Sequence, residues 1–504
     1  MKTIIYSSAL LFLLIFSGCD NNSNNAEKLK ILSEIQASSL DNQLSTLIQS
    51  HNLTGDPSTG RDIPSIDNPQ SQLGMKLFYT KALSLEYDSA CVSCHHPLLG
   101  GGDDLSLPIG TEAVDPDLLG PGRLVKDTDD SYYDGGPTVP RNAPTTFNAA
   151  LFDVAYFWDN RVESISGTPK ANGGNNQIMP GAEDYLRIQS PVEFIPSTQA
   201  LFPIISGEEM RGFGYADLDD KDKVRDYLAN RLSGANDDLT QEQQEAWLEA
   251  FRKGYSQPNG DTSLITTDNI AESIGEFERS QLFIDNPWKA YVEGDKNAIS
   301  EKAKKGAILF YSSYENDGAN CVLCHSSDFF SDESLYVMAV PQIGRGKNYD
   351  ESTEDYGRAN ITQKDEDKYK FRVMSLLNIS ATGPWGHDGA FTSLKDIVKH
   401  MTKPETAKDY KPEDHLTQEG IEVQCEDVTT NTEHALKQLE INRQKGISPH
   451  QSVDMTDEQI NQIVAFLETL TDPCVENETC LNKWISDPVN PDFEILQQLE
   501  AKFQ

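Results

Sequence analysis

Apolar side chains recur at helical spacing through much of the chain, separated by long polar stretches. Ile270, Ile274 and Phe277 form one stripe that ends near Leu282. Ala246, Trp247, Ala250 and Phe251 form a second. It opens on Thr240-Gln-Glu-Gln243, a capping-box pattern in which the Thr and Gln side chains satisfy free backbone donors, and it stops at Gly254. A third stripe runs through Ile460, Ile463, Val464, Leu467 and Leu470, opened by Thr456-Asp-Glu-Gln459 and ended by Asp472-Pro473. These stripes read as core. Two further segments share one pattern, G-x-x-L-F-Y: Gly74 to Tyr79 and Gly306 to Tyr311. Polar, Gly- and Pro-rich stretches near 100–145, 162–190, 326–370 and 404–450 read as loops. Periodicity breaks at Asp285-Asn-Pro287 and Gly294-Asp295, which places a domain junction near 283–300. The pattern predicts a mainly α protein of two tandem domains with long loop insertions.

The first residues change the compartment. Met1-Lys2, an apolar run from Ile4 to Phe16 and then Ser17-Gly18-Cys19-Asp20 describe an export signal, too short to span as a membrane helix. Phe-Ser-Gly-Cys resembles a bacterial lipobox, in which Cys19 would be acylated; a simple signal peptide cleaved nearby is the plainer alternative. Residues 1–19 are therefore read as a lipoprotein-type signal, and 20–69 as a polar tether and N-terminal segment. Export implies a periplasmic-side protein held to a membrane only by its lipid. The net charge of −38 argues against nucleic acid and suits a basic electron-donor protein through steering, although a generally acidic exported protein fits equally.

Cys91-Val-Ser-Cys94-His95 and Cys321-Val-Leu-Cys324-His325 carry the chemistry. C-x-x-C-H attaches c-type haem: two thiols bond the vinyl groups and the following histidine ligates iron. Zinc knuckles would want four ligands per site and leave the histidine after both pairs unexplained. G-x-x-L-F-Y precedes both motifs, so the chain holds two cytochrome c-like haem domains, 70–285 and 295–475, with 476–504 as a tail. Setting aside Cys19 and the haem cysteines leaves Cys425, Cys474 and Cys480. One disulfide and one free thiol is the simple count, with Cys474 and Cys480 the nearer pair.

Further segments follow in order. Gly100-Gly-Gly-Asp103, Arg141-Asn142-Ala-Pro-Thr-Thr-Phe-Asn148 and Phe157-Trp158-Asp159-Asn160-Arg161 come after the first haem motif. Gly383-Pro384-Trp385-Gly386-His387-Asp388-Gly389 comes after the second. Together they resemble the bacterial di-haem cytochrome c peroxidase family, which also includes di-haem oxidases that modify other proteins. The resemblance spans residues 70–475, roughly.

That resemblance implies a division of labour. The C-terminal haem, ligated by His325 and Met401, would receive electrons from a small cytochrome c or cupredoxin; a thioether ligand raises its potential. A buried structural Met401 is the alternative, and His400 a rival ligand. The N-terminal haem, held by Cys91, Cys94 and His95, would reduce hydrogen peroxide. Relatives that need reductive activation carry histidine where this chain has Thr111, so this iron is expected to be open without activation. Glu209 would move the proton in O–O cleavage and Gln199 would orient peroxide, with Glu208 the register alternative to Glu209. Trp158 matches the tryptophan between the haems. Asn142 and the carbonyls of Thr382 and Pro384 match the family's calcium ligands, although Asn142 also suits a turn. His96 is read as facing solvent or a propionate. The family's dimers make a homodimer possible, unless the insertions block the interface. Two alternatives stand beside the peroxidase: an oxidase that uses peroxide to modify a partner, and a non-catalytic electron carrier. Relatives of the first kind have tyrosine where Met401 stands.

Overall fold

The computed structural model describes residues 30, 37, 39–126, 133–164, 167–174, 178–180, 192, 194–214, 220–350 and 352–504. The signal segment and Cys19 lie outside them.

The described chain is mainly helical. In chain order, the helices used below are α1 (39–50), α2 (Pro69–Tyr79), α3 (Ile195–Gln199), α4 (Lys221–Ser233), α5 (Gln241–Gly254), α6 (Thr267–Arg279), α7 (Pro287–Val292), α8 (Glu301–Tyr311), α9 (Leu394–Thr402), α10 (Val428–Gln444) and α11 (Asp457–Glu468). Thr240 and Thr456 form the expected capping boxes at the starts of α5 and α11. Asn68 and Ser300 cap α2 and α8 with side-chain acceptors.

The repeated glycine marks the place where two helices cross. A Cβ on Gly74 in α2 would lie 1.8 Å from the Ser273 carbonyl oxygen of α6, and one on Gly306 in α8 would lie 1.8 Å from that of Gln462 in α11. Only glycine allows backbones that close. The phenylalanine of each repeat then meets the partner helix: Phe78 lies 5.0 Å from Phe277 and Phe310 lies 5.2 Å from Phe466, ring centre to ring centre. Each pair anchors its own core. Leu73, Leu77, Trp247, Phe251 and Ile274 fill the first, and Trp288, Ala307, Ile463 and Leu467 the second.

The chain ends cross over. Leu44 of α1 packs in the second core, where Asp41 pairs with Lys304 at 2.7 Å. Leu496 and Leu499, from the last residues, pack in the first core, and Leu499 N–H donates to the Tyr79 carbonyl at 2.8 Å. Each core is finished by residues from the far end of the sequence.

Two antiparallel sheets sit between these bundles. β1 (Ala155–Tyr156), β2 (Val162–Ser164) and β3 (Ile178–Pro180) form one; β4 (Leu335–Tyr336) and β5 (Phe371–Arg372) form the other. The stretch read as loop at 404–450 contains α10. Its buried face is Val428, Asn431, Thr432, Ala435, Leu439 and Asn442, correctly spaced but small or polar at four positions, so the apolar period is muted. Cys474 and Cys480 are disulfide-bonded and Cys425 is a free thiol.

Candidate haem sites

Each C-x-x-C pair lies on a single 3₁₀ turn, Cys91–Ser93 and Cys321–Leu323, which brings residues three apart onto one side. The Cys94 and Cys324 amides close those turns on the carbonyls of Cys91 and Cys321. All four thiols are unpaired and open into cavities. The adjoining histidines are oriented alike: His95 Nδ1 lies 3.2 Å from the Gly101 carbonyl, and His325 Nδ1 lies 3.0 Å from that of Phe330. Holding Nδ1 this way fixes the ring and leaves Nε2 as the ligating atom. Burial holds both imidazoles below the ordinary value, so they are neutral and able to ligate. Empty space of about 1160 and 1610 Å³, mouths included, adjoins the two motifs. Paired free thiols, an oriented imidazole and an apolar cavity fit covalent haem at both places.

Gln199 and Glu209 line the N-terminal cavity with Cys91, Cys94 and His95. Gln199 ends the short helix α3. Glu209 sits in the π-turn Gly207–Arg211, whose backbone is pinned from behind: Ser89 Oγ donates to the Glu209 carbonyl at 2.9 Å and Thr111 N–H to that of Glu208 at 3.1 Å. Gly110 is forced by the same contact, since a Cβ there would meet the Glu208 oxygen at 2.3 Å. The Thr111 hydroxyl is spent on the Gly207 carbonyl at 2.8 Å, so Thr111 buttresses the turn. Glu208 accepts from Ser206 Oγ at 2.8 Å and does not line the cavity. Burial raises the Glu209 carboxyl, with Arg161 and Lys347 pulling against it.

The C-terminal cavity is lined by Met401, from α9, with Cys321, Cys324 and His325. His400 is turned elsewhere, its Nε2 lying 2.9 Å from the Met338 carbonyl. Met338 and Met374 add two more thioethers to the lining. Asn142, Thr382 and Pro384 also line it. The Asn142 side-chain amide donates to the carbonyls of Leu105 (3.0 Å) and Ser106 (3.3 Å), which leaves its Oδ1 as a free hard acceptor. Among the described residues no cluster of three or more His, Cys, Asp or Glu side chains is arranged to hold a metal ion.

Trp158 and Asn142 line both cavities. Trp158 sits in the tight connection between β1 and β2, and its carbonyl accepts from Arg372 N–H of β5 at 2.8 Å. Beside it, buried Arg141 bridges Asp159 (2.6 Å) and Asp355 (2.6 Å), tying the two halves together. Despite burial, Arg141 and Arg161 hold Asp159 below the usual carboxylate range.

Three features escaped sequence reasoning. Glu278 lines the N-terminal cavity, is buried, and burial pushes its carboxyl to about 8. The available signal was an acid four residues after Ile274 on the apolar face of α6. Lys347 enters the same cavity from the other half, and no local pattern announced it. His96 is buried, not solvent-facing: its Nδ1 accepts from Leu98 N–H, and its ring meets Phe503 edge-on at 5.0 Å because the chain's end folds back over it.

Residues 68–297 match the family model of the di-haem cytochrome c peroxidases. A cytochrome c551 peroxidase of Pseudomonas aeruginosa is 26% identical over 387 residues, covering 75% of this chain and 84% of the relative. The methylamine utilization protein MauG of Methylophilus methylotrophus is 26% identical over 333 residues, 66% and 71% of the two chains. The crystal structure of a MauG-like protein associated with microbial copper homeostasis superposes with a TM-score of 0.51 at 19% identity. It covers 85% of this chain and 97% of that one, a likeness of fold.

Proposed function

We propose that this chain, which resembles the di-haem cytochrome c peroxidases over residues 68–297, reduces hydrogen peroxide to water at the N-terminal haem. Electrons would enter at the C-terminal haem from a small cytochrome c or cupredoxin. The observation that carries this reading is the convergence of Glu209 and Gln199 on the cavity of Cys91, Cys94 and His95, with Trp158 shared between that cavity and the second.

Haem iron would supply the redox chemistry, passing two electrons to the O–O bond, which with two protons yields two waters. Glu209 would take a proton from one peroxide oxygen and return it to the leaving one. General acid–base help of this kind is worth about 10²–10⁴ in rate. Gln199 orients the peroxide by hydrogen bonding. With its hydroxyl bonded to Gly207 and outside the cavity lining, Thr111 would offer the iron no ligand, which supports reaction without prior reductive activation. Trp158 lies where an electron crossing between the cavities passes.

Met401 is the proposed sixth ligand of the C-terminal haem, supported by its place in the cavity and by His400 being engaged elsewhere. A calcium ion on Asn142 Oδ1 and the carbonyls of Thr382 and Pro384 would fix the angle between the halves. The proposed location is the periplasmic side, anchored through acylated Cys19; no helix among the described residues is long and apolar enough to cross a membrane. A homodimer belongs to the same reading.

The test is Glu209→Ala. Turnover with peroxide and reduced cytochrome c should be lost while both haems stay attached; retained turnover would remove the acid–base assignment.

A further inference from the structure

The N-terminal cavity is not built by its own half alone. Lys347 lies on a loop of the C-terminal half, between Gly346 and a turn that returns at Asp355. Its backbone is held at three points. The Lys347 amide donates to the Glu354 carbonyl (3.1 Å), and its own carbonyl accepts from Tyr356 N–H (2.9 Å) and Asn360 Nδ2 (2.7 Å). Gly346, at φ +74, is required there, because a Cβ would meet the Thr353 carbonyl oxygen at 2.4 Å. The same loop is bolted across the halves by Asp355, which takes both Nε and Nη2 of Arg141 at 2.6 and 2.8 Å. A pinned loop thus delivers one long cationic side chain into the N-terminal cavity, where Arg372 and Met374 also enter from the C-terminal half.

Among the described residues Lys347 Nζ forms no hydrogen bond or ion pair. A second cation lines the same cavity: Arg161 packs on the Phe157 ring at 3.6 Å, spends Nη1 on Asp159, and keeps a buried Nε without a partner. Two cations with spare donors therefore share a largely enclosed space with Glu209 and Gln199. Of the two carboxyls lining this cavity, burial pushes Glu278 to about 8 and so keeps it neutral at pH 7, which leaves Lys347, Arg161 and Arg372 outnumbering Glu209 and favours a ligand that brings a negative charge.

We propose that Lys347, supplied by the C-terminal half, directs small monovalent anions to the ligand-binding position of the N-terminal cavity, the hydroperoxide anion being the functional case. This rests on the reading of that haem as the open, peroxide-binding one. Lys347 is a positioning residue: it opposes the negative charge of the incoming ligand and of Glu209, while Glu209 handles the proton. Burial, with Arg161 and Arg141 nearby, brings the Lys347 ammonium down to about 8, so it remains the charged form at neutral pH. The burial of Glu209 is partly offset by Lys347 and Arg161. A peroxide site that depends on a residue of the other half also couples binding to the fit between the halves.

The experiment uses the intact di-haem protein and two probes of the N-terminal iron at pH 7, sodium fluoride on the oxidised form and carbon monoxide on the reduced form. Both are followed by absorbance in wild type, Lys347→Met and Lys347→Arg. Lys347→Met should weaken fluoride binding about ten-fold, the order expected for losing one unit charge at close range in a partly dry site, and leave carbon monoxide affinity unchanged. Lys347→Arg should bind fluoride close to wild type. A Lys347→Met protein that binds both probes like wild type overturns the proposal, as does one that loses both together, since that marks a structural role. Wild type that binds neither probe removes the open-haem reading itself and this inference with it.

Discussion

The Trp158 indole N–H donates to the Asn142 carbonyl at 3.0 Å, and both residues face the two cavities. This bond fixes one aromatic ring where the two cavities share lining, beside the ion-paired core. Its surroundings are rigid: Arg372 holds the Trp158 backbone, and Arg141 and Asp159 flank the pair in sequence.

Trp158→Phe keeps the ring and loses the N–H. Stability should fall by about 1 kcal/mol, the usual worth of one such hydrogen bond, while electron transfer from the C-terminal to the N-terminal haem slows. Reducing the C-terminal haem rapidly and following the N-terminal one by absorbance checks this. An unchanged rate would make Trp158 interface packing only.

Arg141→Ala leaves buried Asp355 without its cation and buried Asp159 with only the longer contact to Arg161 at 3.4 Å. Breaking a buried pair by removing one partner costs about 3–5 kcal/mol. Denaturant unfolding should show that loss, and limited proteolysis should open the 344–357 loop first. A variant as stable as wild type would show that the triad does not join the halves.

Gly74→Ala and Gly306→Ala place a methyl inside the α2–α6 and α8–α11 crossings. Overpacking of this kind costs about 1–3 kcal/mol, and a rigid backbone acceptor at 1.8 Å puts both variants at the upper end. Thermal unfolding should show comparable drops for the two, since the crossings are equivalent. A drop in one alone would contradict the structural repeat.

Glu278 gives stability a pH dependence. The unfolded carboxyl ionises near 4.5, whereas burial raises it to about 8 in the fold, so the folded state binds more protons between those values. Stability is therefore greatest below pH 4.5 as far as this group is concerned, and it declines as pH rises to 8, by on the order of 4 kcal/mol. Asp103, pushed by burial to about 8, adds to the same slope. Glu278→Gln should flatten the decline measured by thermal unfolding from pH 5 to 8, leaving the part due to Asp103. A slope as steep as wild type would show that Glu278 ionises normally in the fold.

What the sequence could disclose follows from distance along the chain. The haem motifs, the capping boxes at Thr240 and Thr456 and the G-x-x-L-F-Y repeat are local, and the structure shows why Gly74 and Gly306 are there. The convergence of Gln199 and Glu209 on Cys91 was reachable only through family resemblance. Lys347 was not reachable, because 138 positions separate it from Glu209 and nothing in Arg-Gly-Lys-Asn distinguishes it from a surface lysine. The burial of His96 was hidden for the same reason: its cover, Phe503, is more than 400 residues away. Helix α10 was missed because Asn431, Thr432, Ala435 and Asn442 occupy positions where large apolar residues would have announced it.

The central claim is peroxide reduction at the N-terminal site fed from the C-terminal one. Stopped-flow absorbance of the fully oxidised and half-reduced protein mixed with hydrogen peroxide, with reduced cytochrome c present, tests it most directly. The account predicts prompt reaction in both redox states, followed by oxidation of two cytochrome c per peroxide, and loss of both in Glu209→Ala. A peroxide-oxidised protein that persists and leaves cytochrome c reduced would contradict it in favour of an oxidase acting on another partner. No reaction in either state would leave an electron carrier.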